Sequence, residues 1–285
     1  MNKKLSIIIV SYNSKDVLAD CLNSVFEYND LGDNLEVIVI EQSEKDDVYN
    51  WLISEYQHVK AIRRENRGFG AGNNMGFKKS SGEYLLFLNP DTVLIEPIGE
   101  FACRKFSENE TLGLFGVRLT DKEGNLNNSF LIKIPYGFKN RVKAVVNNKI
   151  SFFNEKNMYI VGADMFVRRS AFEKAGMFDD NFFMFSEEAD LCNRIQIAGY
   201  SVKYFKEKTI KHLEGKSSAV DDGRKFCMML DSFRYYCEKF NCNYIGILKA
   251  EKRLQFWKKI AGKLFMNNRL ISEAELELKV LNEKL

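Results

Sequence analysis

Five stretches of the chain hold residue types whose spacing could bind an anionic ligand and move a proton. Residues 186–194 read Ser-Glu-Glu-Ala-Asp-Leu-Cys-Asn-Arg, with Glu187, Glu188 and Asp190 opening a helical pattern. A helix dipole alone stabilises acids in a first turn. This run, however, follows Phe182-Phe183-Met184-Phe185, and apolar neighbours raise a carboxylate toward the proton affinity of a general base. Asn89-Pro90-Asp91 follows an apolar run at 84–88. It reads as a common turn, yet an acid displayed at the end of a buried strand can ligate Mg²⁺ or Mn²⁺ together with substrate phosphates. His212, one of two histidines, precedes Glu214-Gly215-Lys216-Ser217-Ser218 and has a structural reading beside a ligand reading.

The other two stretches are loops. Ser11-Tyr12-Asn13-Ser14 lies just past the first apolar run, where it could hold a base or ribose or serve only as a turn and helix cap. Residues 65–76 carry Arg67 and glycines at 68, 70, 72 and 76. A glycine-rich loop admits backbone close to a phosphate or sugar, and arginine adds fixed charge. The stretch fits neither the P-loop consensus nor the dinucleotide fingerprint, because Met75 stands where the third glycine belongs.

These residues need elements to position them. Apolar, β-branched runs at 5–10, 35–40, 59–62 and 84–88 predict strands, and helical spacing predicts helices over 14–28, 48–56 and 72–79. Such alternation implies a mostly parallel sheet covered by helices, with ligands at the carboxyl ends of the strands. Further on, 98–106 reads as helix, 112–119 as strand, 120–157 as polar and irregular, 158–168 as strand, 187–198 as helix and 201–205 as strand. Only helical patterns remain beyond about 217. Ile247, Ala250, Leu254, Trp257, Ala261 and Leu264 form one apolar stripe, and 270–285 is a second amphipathic helix that could serve a homodimer.

Composition bounds the function. The 285 residues, 45% hydrophobic, suffice for a self-supporting core. The 42 Lys+Arg against 39 Asp+Glu leave +3, which gives no support to a nucleic-acid partner. The total conceals an asymmetry: residues 246–269 hold seven basic residues and one acid, so the remainder is mildly acidic. Six cysteines form no CxxC pair, which predicts free thiols in a reducing cytosol. No run is long enough for a signal sequence or a membrane span. The location expected is cytoplasmic, with peripheral attachment at the inner face of the plasma membrane left open.

In their order and context these stretches resemble glycosyltransferase family 2, of the GT-A type, and within it the rhamnosyltransferase-like bacterial enzymes of polysaccharide synthesis. The matching segments are SIIIVSYNS (6–14), NRGFGAGNNMG (66–76), GEYLLFLNPDT (82–92), VGADMFVRRSAFEKAGMFDDNFFM (161–184), SEEADLCNRIQIAGY (186–200) and His212. The resemblance implies an α/β fold with a Rossmann-like, mostly parallel central sheet flanked by helices. It implies a catalytic domain over 1–218, with a nucleotide-sugar half to about 92 and an acceptor half from about 93, and a helical extension over 219–285. It also implies a donor site of Ser11, Tyr12, Asn13, Glu41, Arg67, Gly68, Gly72, Asn73, Asn89 and Asp91. Glu41-Gln42 replaces the usual Asp-Asn, and Asn89 replaces the first acid of the usual metal motif. Asp91 and His212 would hold Mn²⁺ or Mg²⁺. Gly162, Ala163 and Asp164 would face the acceptor. Glu188 is the first choice for the base, with Glu187 and Asp190 as contenders.

The activity so implied is inverting, single-displacement transfer of a sugar from a dTDP- or UDP-linked donor to a hydroxyl of a glycan or lipid-linked acceptor. A nucleotide-sugar-binding or scaffolding protein that keeps the fold without turnover is the alternative; a dehydrogenase fits less well, because the glycines are in the wrong place. The Lys-rich helix at 246–269, with Phe256, Trp257 and Phe265, could lie on an anionic membrane or pack on the catalytic domain with its lysines solvated.

Overall fold

A computed structural model describes residues 3–213 and 223–285. The stretch 214–218 and the predicted domain boundary at 218 lie outside the described residues. In chain order the elements of the first half are β1 (Leu5–Ser11), α1 (Lys15–Glu27), β2 (Leu35–Glu41), α2 (Asp47–Glu55), β3 (Val59–Arg63), α3 (Phe69–Lys79), β4 (Tyr84–Leu88), β5 (Thr92–Leu94), α4 (Gly99–Glu108) and β6 (Leu112–Thr120). There follow β7 (Phe130–Ile132), α5 (Phe138–Lys149), β8 (Met158–Ile160), β9 (Asp164–Arg168), α6 (Arg169–Lys174), α7 (Glu187–Ile197) and β10 (Ser201–His212). The chain ends in α8 (Arg224–Lys239), α9 (Tyr244–Leu264) and α10 (Asn268–Lys284).

An eight-stranded sheet in the order β3-β2-β1-β4-β9-β6-β10-β5 forms the centre. Its first four strands are parallel, as expected of apolar runs buried on both faces. The antiparallel strand β9 enters between β4 and β6. Two apolar clusters, one on each side of the sheet, complete the core; one is rich in tilted and edge-on phenylalanines, among them Phe87, Phe172 and Phe178.

Four elements differ from the sequence-based expectations, and each has a physical reason. The glycine stretch is not a loop: α3 begins at Phe69, and Gly68 caps it at φ +91°. Its glycines let the helix lie directly on the sheet, since a Cβ at Gly76 would overlap Ile8 and one at Gly72 would stand 2.8 Å from Val10. The expected single strand over 158–168 is two strands, β8 pairing with β7 in a separate ribbon and β9 in the main sheet, divided by the turn at 161–163. The strand expected to stop at 205 continues to His212 beyond a register shift at Phe205–Thr209, because its charged second half pairs with β6 on one side and with edge strand β5 on the other. The region expected to be irregular holds β7 and α5.

The C-terminal helices share one apolar cluster with the body, in which Phe226, Leu230, Phe233 and Leu248 meet Tyr136, Phe182 and Ala189. The apolar face of α10 that could have served a second copy is used within the chain, burying Ala274, Val280 and Leu281. No cysteine among the described residues is in a disulfide. No helix of the described residues is long and apolar enough to cross a membrane.

Candidate active site

The candidate residues converge at the carboxyl ends of β1, β2, β3 and β4, where a parallel sheet leaves a crevice. A cavity of about 740 Å³ opens there, lined by Tyr12, Gln42, Ser43, Arg63, Arg64 and Asn66 among others. The β1 and β2 ends are locked in register, Ser11 opposite Glu41. The hydroxyls of Ser11 and Ser14 lie 3.0 Å apart, and the Asn13 amide, at φ +51°, donates to Ser43 Oγ at 2.8 Å. Glu41 is fully buried; Oε1 accepts from the Ser43 amide at 2.7 Å, while Oε2 is buried with no protein partner. A buried carboxylate oxygen without a donor is costly, and this one sits beside residues that line the cavity. Arg67 is exposed and pairs with Glu65 at 3.4 Å.

Asp91 and His212 come from segments 121 positions apart in the chain and meet because β5 pairs antiparallel with β10, Thr92 opposite His212. Asp91 Oδ1 and His212 Nε2 are 3.3 Å apart, with side chains 16% and 18% exposed. The Leu213 amide donates to the Asp91 carbonyl at 2.8 Å and the Thr92 hydroxyl to the Asn89 carbonyl at 2.7 Å, which holds the Asn-Pro-Asp turn. Among the described residues no cluster of three or more His, Cys, Asp or Glu could hold a metal. An ion held by this pair would have to draw its other ligands from substrate phosphate and water, which suits Mg²⁺ or Mn²⁺ better than a closed structural metal.

The acids of α7 are joined to this end by the turn between β8 and β9. The Asn89 amide donates to the Ala163 carbonyl at 3.1 Å, and the Gly162 amide donates to Glu188 Oε1 at 3.2 Å. A Cβ at Gly162 would stand 2.8 Å from that oxygen, so glycine is what allows the approach. Asp164 is fully buried and accepts from the Val117 amide at 2.6 Å; burial pushes its carboxyl well above the usual carboxylate range. It braces β6 from inside the sheet, enclosed away from solvent. The loop before α7 turns through left-handed backbone at Phe185 (φ +71°) and Ser186 (φ +67°). The Phe183 carbonyl accepts from the Phe69 amide at 3.2 Å, and a Cβ at Gly68 would overlap that carbonyl oxygen.

Environment separates the three acids. Asp190 is fully buried and ion-paired with Arg194 at 2.5 Å and Lys239 at 2.7 Å. Glu187 is buried, and Oε2 has no partner. Burial first, and the neighbouring Glu188 charge second, push it well above the usual range. Glu188 is half-buried; burial raises it too, offset in part by hydrogen bonds that include the Gly162 amide. A carboxyl that holds its proton longer in the folded chain than in the unfolded one stabilises the fold most at acidic pH. That contribution declines as pH rises from the ordinary carboxylate range toward the raised value. Glu187→Gln is therefore expected to raise the unfolding free energy at pH 8 by about 1–2 kcal/mol and to flatten its fall between pH 5 and 8. Urea denaturation at the two pH values measures this.

Sequence reasoning missed Gln42, Ser43, Arg63 and Arg64 as cavity-lining residues and Lys239 as the cation on Asp190. The rule that ligands gather at strand carboxyl ends would have pointed to Arg63-Arg64 at the end of β3; no local signal marks Lys239.

Comparison with known proteins decides the family. The sequence model of "Glycosyl transferase family 2" matches residues 6–176. The chain belongs to glycosyltransferase family 2. Among curated relatives, the glycosyltransferase is 24% identical to the rhamnosyltransferase WbbL of Escherichia coli over 82% of this chain and 92% of that protein. It is 27% identical to the low-salt glycan biosynthesis hexosyltransferase Agl10 of Haloferax volcanii over 67% of this chain and 61% of that one. Among solved structures, the mannosyltransferase PcManGT of Pyrobaculum calidifontis, in complex with GDP-Man and Mn²⁺, superposes with a TM-score of 0.65 at 13% identity, covering 100% of this chain and 87% of that chain. TarS of S. aureus superposes with a TM-score of 0.58 at 16% identity over 88% of this chain but only 43% of that chain. The fold is thus of the GT-A type, and the chain is a glycosyltransferase enzyme.

Proposed function

We propose that this enzyme transfers a sugar from a dTDP- or UDP-linked donor to a hydroxyl of a glycan or lipid-linked acceptor in bacterial cell-surface polysaccharide synthesis. In this reading it works with Mn²⁺ or Mg²⁺, at the inner face of the plasma membrane. The observation that carries it is the continuous chain of contacts from the Asp91–His212 pair through Asn89, Ala163 and Gly162 to Glu188. It links the two residues read here as cation ligands to the raised carboxylate read as the base through main-chain contacts.

In this reading Ser11, Tyr12, Asn13, Glu41, Asn73 and the backbone around Gly68 and Gly72 shape the nucleotide end, with Arg67 contributing charge. The buried, partnerless Oε2 of Glu41 suits an N–H donor of a bound base. Asp91 and His212 hold the divalent ion, which when bound neutralises the charge that builds on the departing diphosphate. Glu188 takes the proton of the acceptor hydroxyl as its oxygen bonds to the anomeric carbon and the diphosphate oxygen leaves from the opposite face. The configuration inverts in one displacement, with no covalent intermediate. Gly162 N–H holds Glu188 Oε1, leaving the other oxygen for the hydroxyl, and Gly162 and Ala163 border the acceptor. Asp190 serves the acid helix through its ion pairs with Arg194 and Lys239.

The relatives support this class: WbbL is named a rhamnosyltransferase, and a Campylobacter jejuni relative, 30% identical over 45% of this chain and 42% of that protein, is a glucosyltransferase acting on an undecaprenol-linked glycan. Mn²⁺-dependent thermal stabilisation by UDP or dTDP, with release of nucleoside diphosphate from the matching sugar donor, is the expected result. Stabilisation by the nucleotide with no turnover of any donor–acceptor pair would favour the scaffold, and stabilisation by NAD instead would favour an oxidoreductase.

A further inference from the structure

Helix α9 is built inside out. The stripe that its periodicity marks as apolar faces the body only in part: Ile247 packs on the C-terminal cluster and Leu254 and Ala261 are half-buried, but Trp257 is 64% exposed and Leu264 75%, and Phe256 and Ile260 are exposed beside them. The side turned to the protein instead carries Leu248, Glu251, Gln255 and Gly262. Glu251, fully buried, anchors that side; it accepts from the Gly137 amide, Arg141 Nη2 and Gln255 Nε2, each at 2.6 Å. The polar face is thus fixed inward by a satisfied network, and the aromatic face is held in water. At the end of the helix the turn into α10 presents Phe265 at 76% and Met266 at 86% exposure. A patch of this kind on a folded chain marks a surface that something covers.

Charge decides what covers it. A groove of about 420 Å³ between α9 and α10 is lined by Lys249, Lys252, Arg253, Phe256, Trp257 and Leu278 among others. Three of the four acids on α10 are engaged elsewhere, Glu275 by Lys259, Glu273 by Arg269 and Glu277 by Arg141, and the fourth, exposed Glu283, is in no ion pair among the described residues. Among the described residues no acid is ion-paired with Lys249, Lys252 or Arg253. Aromatic and aliphatic side chains flanked by unneutralised lysine and arginine fit an interface of headgroup anions above acyl chains. A second copy of this chain fits poorly, since a two-fold contact through this face would set the same basic residues against each other. The pattern recurs on neighbouring α5, tied to α9 through Arg141–Glu251, where Phe138, Val142, Val145 and Val146 are exposed.

We infer that the outward face of α9, with the α9–α10 turn at its tip, docks on an anionic lipid bilayer. The purpose of the docking, delivery of a lipid-linked acceptor, rests on the proposed function; its physics does not. The full-length chain is expected to float with vesicles of phosphatidylglycerol and phosphatidylethanolamine but not with phosphatidylcholine alone. Flotation should be lost at about 0.5 M salt, where surface attraction is screened. F256S/W257S/L264S and K249E/K252E/R253E should each lower the partition coefficient by about tenfold or more. All these side chains point to solvent or the groove, so nucleoside diphosphate release without vesicles should stay at the parent level and report on the fold. Failure of the parent to float, flotation of the variants like the parent, or a dimer that these substitutions dissolve would each overturn the inference. Loss of donor turnover in the parent would instead defeat the proposed function and leave the lipid surface standing.

Discussion

Glu188→Gln is expected to lower transfer by about 10²- to 10⁴-fold, the range lost with a general base, while the nucleotide and Mn²⁺ still bind. The amide keeps the shape and can still accept from the Gly162 amide, so the change removes a proton acceptor and little else. Stability should be unchanged or slightly higher, because a carboxylate raised by burial is costly to ionise. The neighbours make the test specific. Asp190→Asn leaves Arg194 and Lys239 short of a counter-charge in a buried setting and should show itself as lost stability. Isothermal titration of the nucleotide beside turnover separates the outcomes: unimpaired turnover in Glu188→Gln would remove it as the base, and a large loss in Glu187→Gln would transfer the role there.

Asp91→Asn is expected to lower transfer by about 10²- to 10³-fold, consistent with the several kcal/mol that a divalent ion supplies to a charged leaving group. The distinguishing sign is the metal dependence: Mn²⁺ should no longer strengthen nucleotide binding in the variant, whereas the parent should bind more tightly as Mn²⁺ is added. The turn itself should survive, since the Asp91 carboxylate makes neither of the bonds Leu213 amide to Asp91 carbonyl and Thr92 hydroxyl to Asn89 carbonyl. Thermal unfolding without ligand should therefore match the parent. Undiminished metal-linked binding in Asp91→Asn would move the ion elsewhere in the crevice.

The strands β1, β2 and β4 were legible because burial on both faces leaves a continuous apolar run, here too short for an ordinary buried helix. The acids of α7 and the turn at Asn89–Asp91 were legible because their residue types crowd into few positions. Their meeting was not, since it depends on strand pairing: β10 reaches His212 by pairing its charged half with β6 on one side, and edge strand β5 on the other brings Thr92 opposite His212. The break between β8 and β9 escaped notice because Val161-Gly162-Ala163 is as apolar as the strands it separates. Helix α5 was hidden by its asparagines and β-branched residues, which weaken helix propensity. For α9 the period was legible and the face stayed open between the body and a membrane; periodicity says that a helix has two sides, and only the packing of Glu251 says which is inside.

The ion pair of Lys239 has a consequence for how the chain can be divided. Lys239 lies in α8, far beyond the segment that the family model covers, yet it joins Asp190 and Asp179 at 2.7 Å each. Cutting the chain near 218 would take the counter-ion from Asp190 and also uncover Tyr136, Phe182 and Ala189, which the C-terminal helices bury. The region that looks like an appendage is in this sense a wall of the catalytic body. The smallest unit able to hold the acid helix in place is the chain with its tail, and a shortened form chosen on family boundaries alone would report on a different, weakened protein.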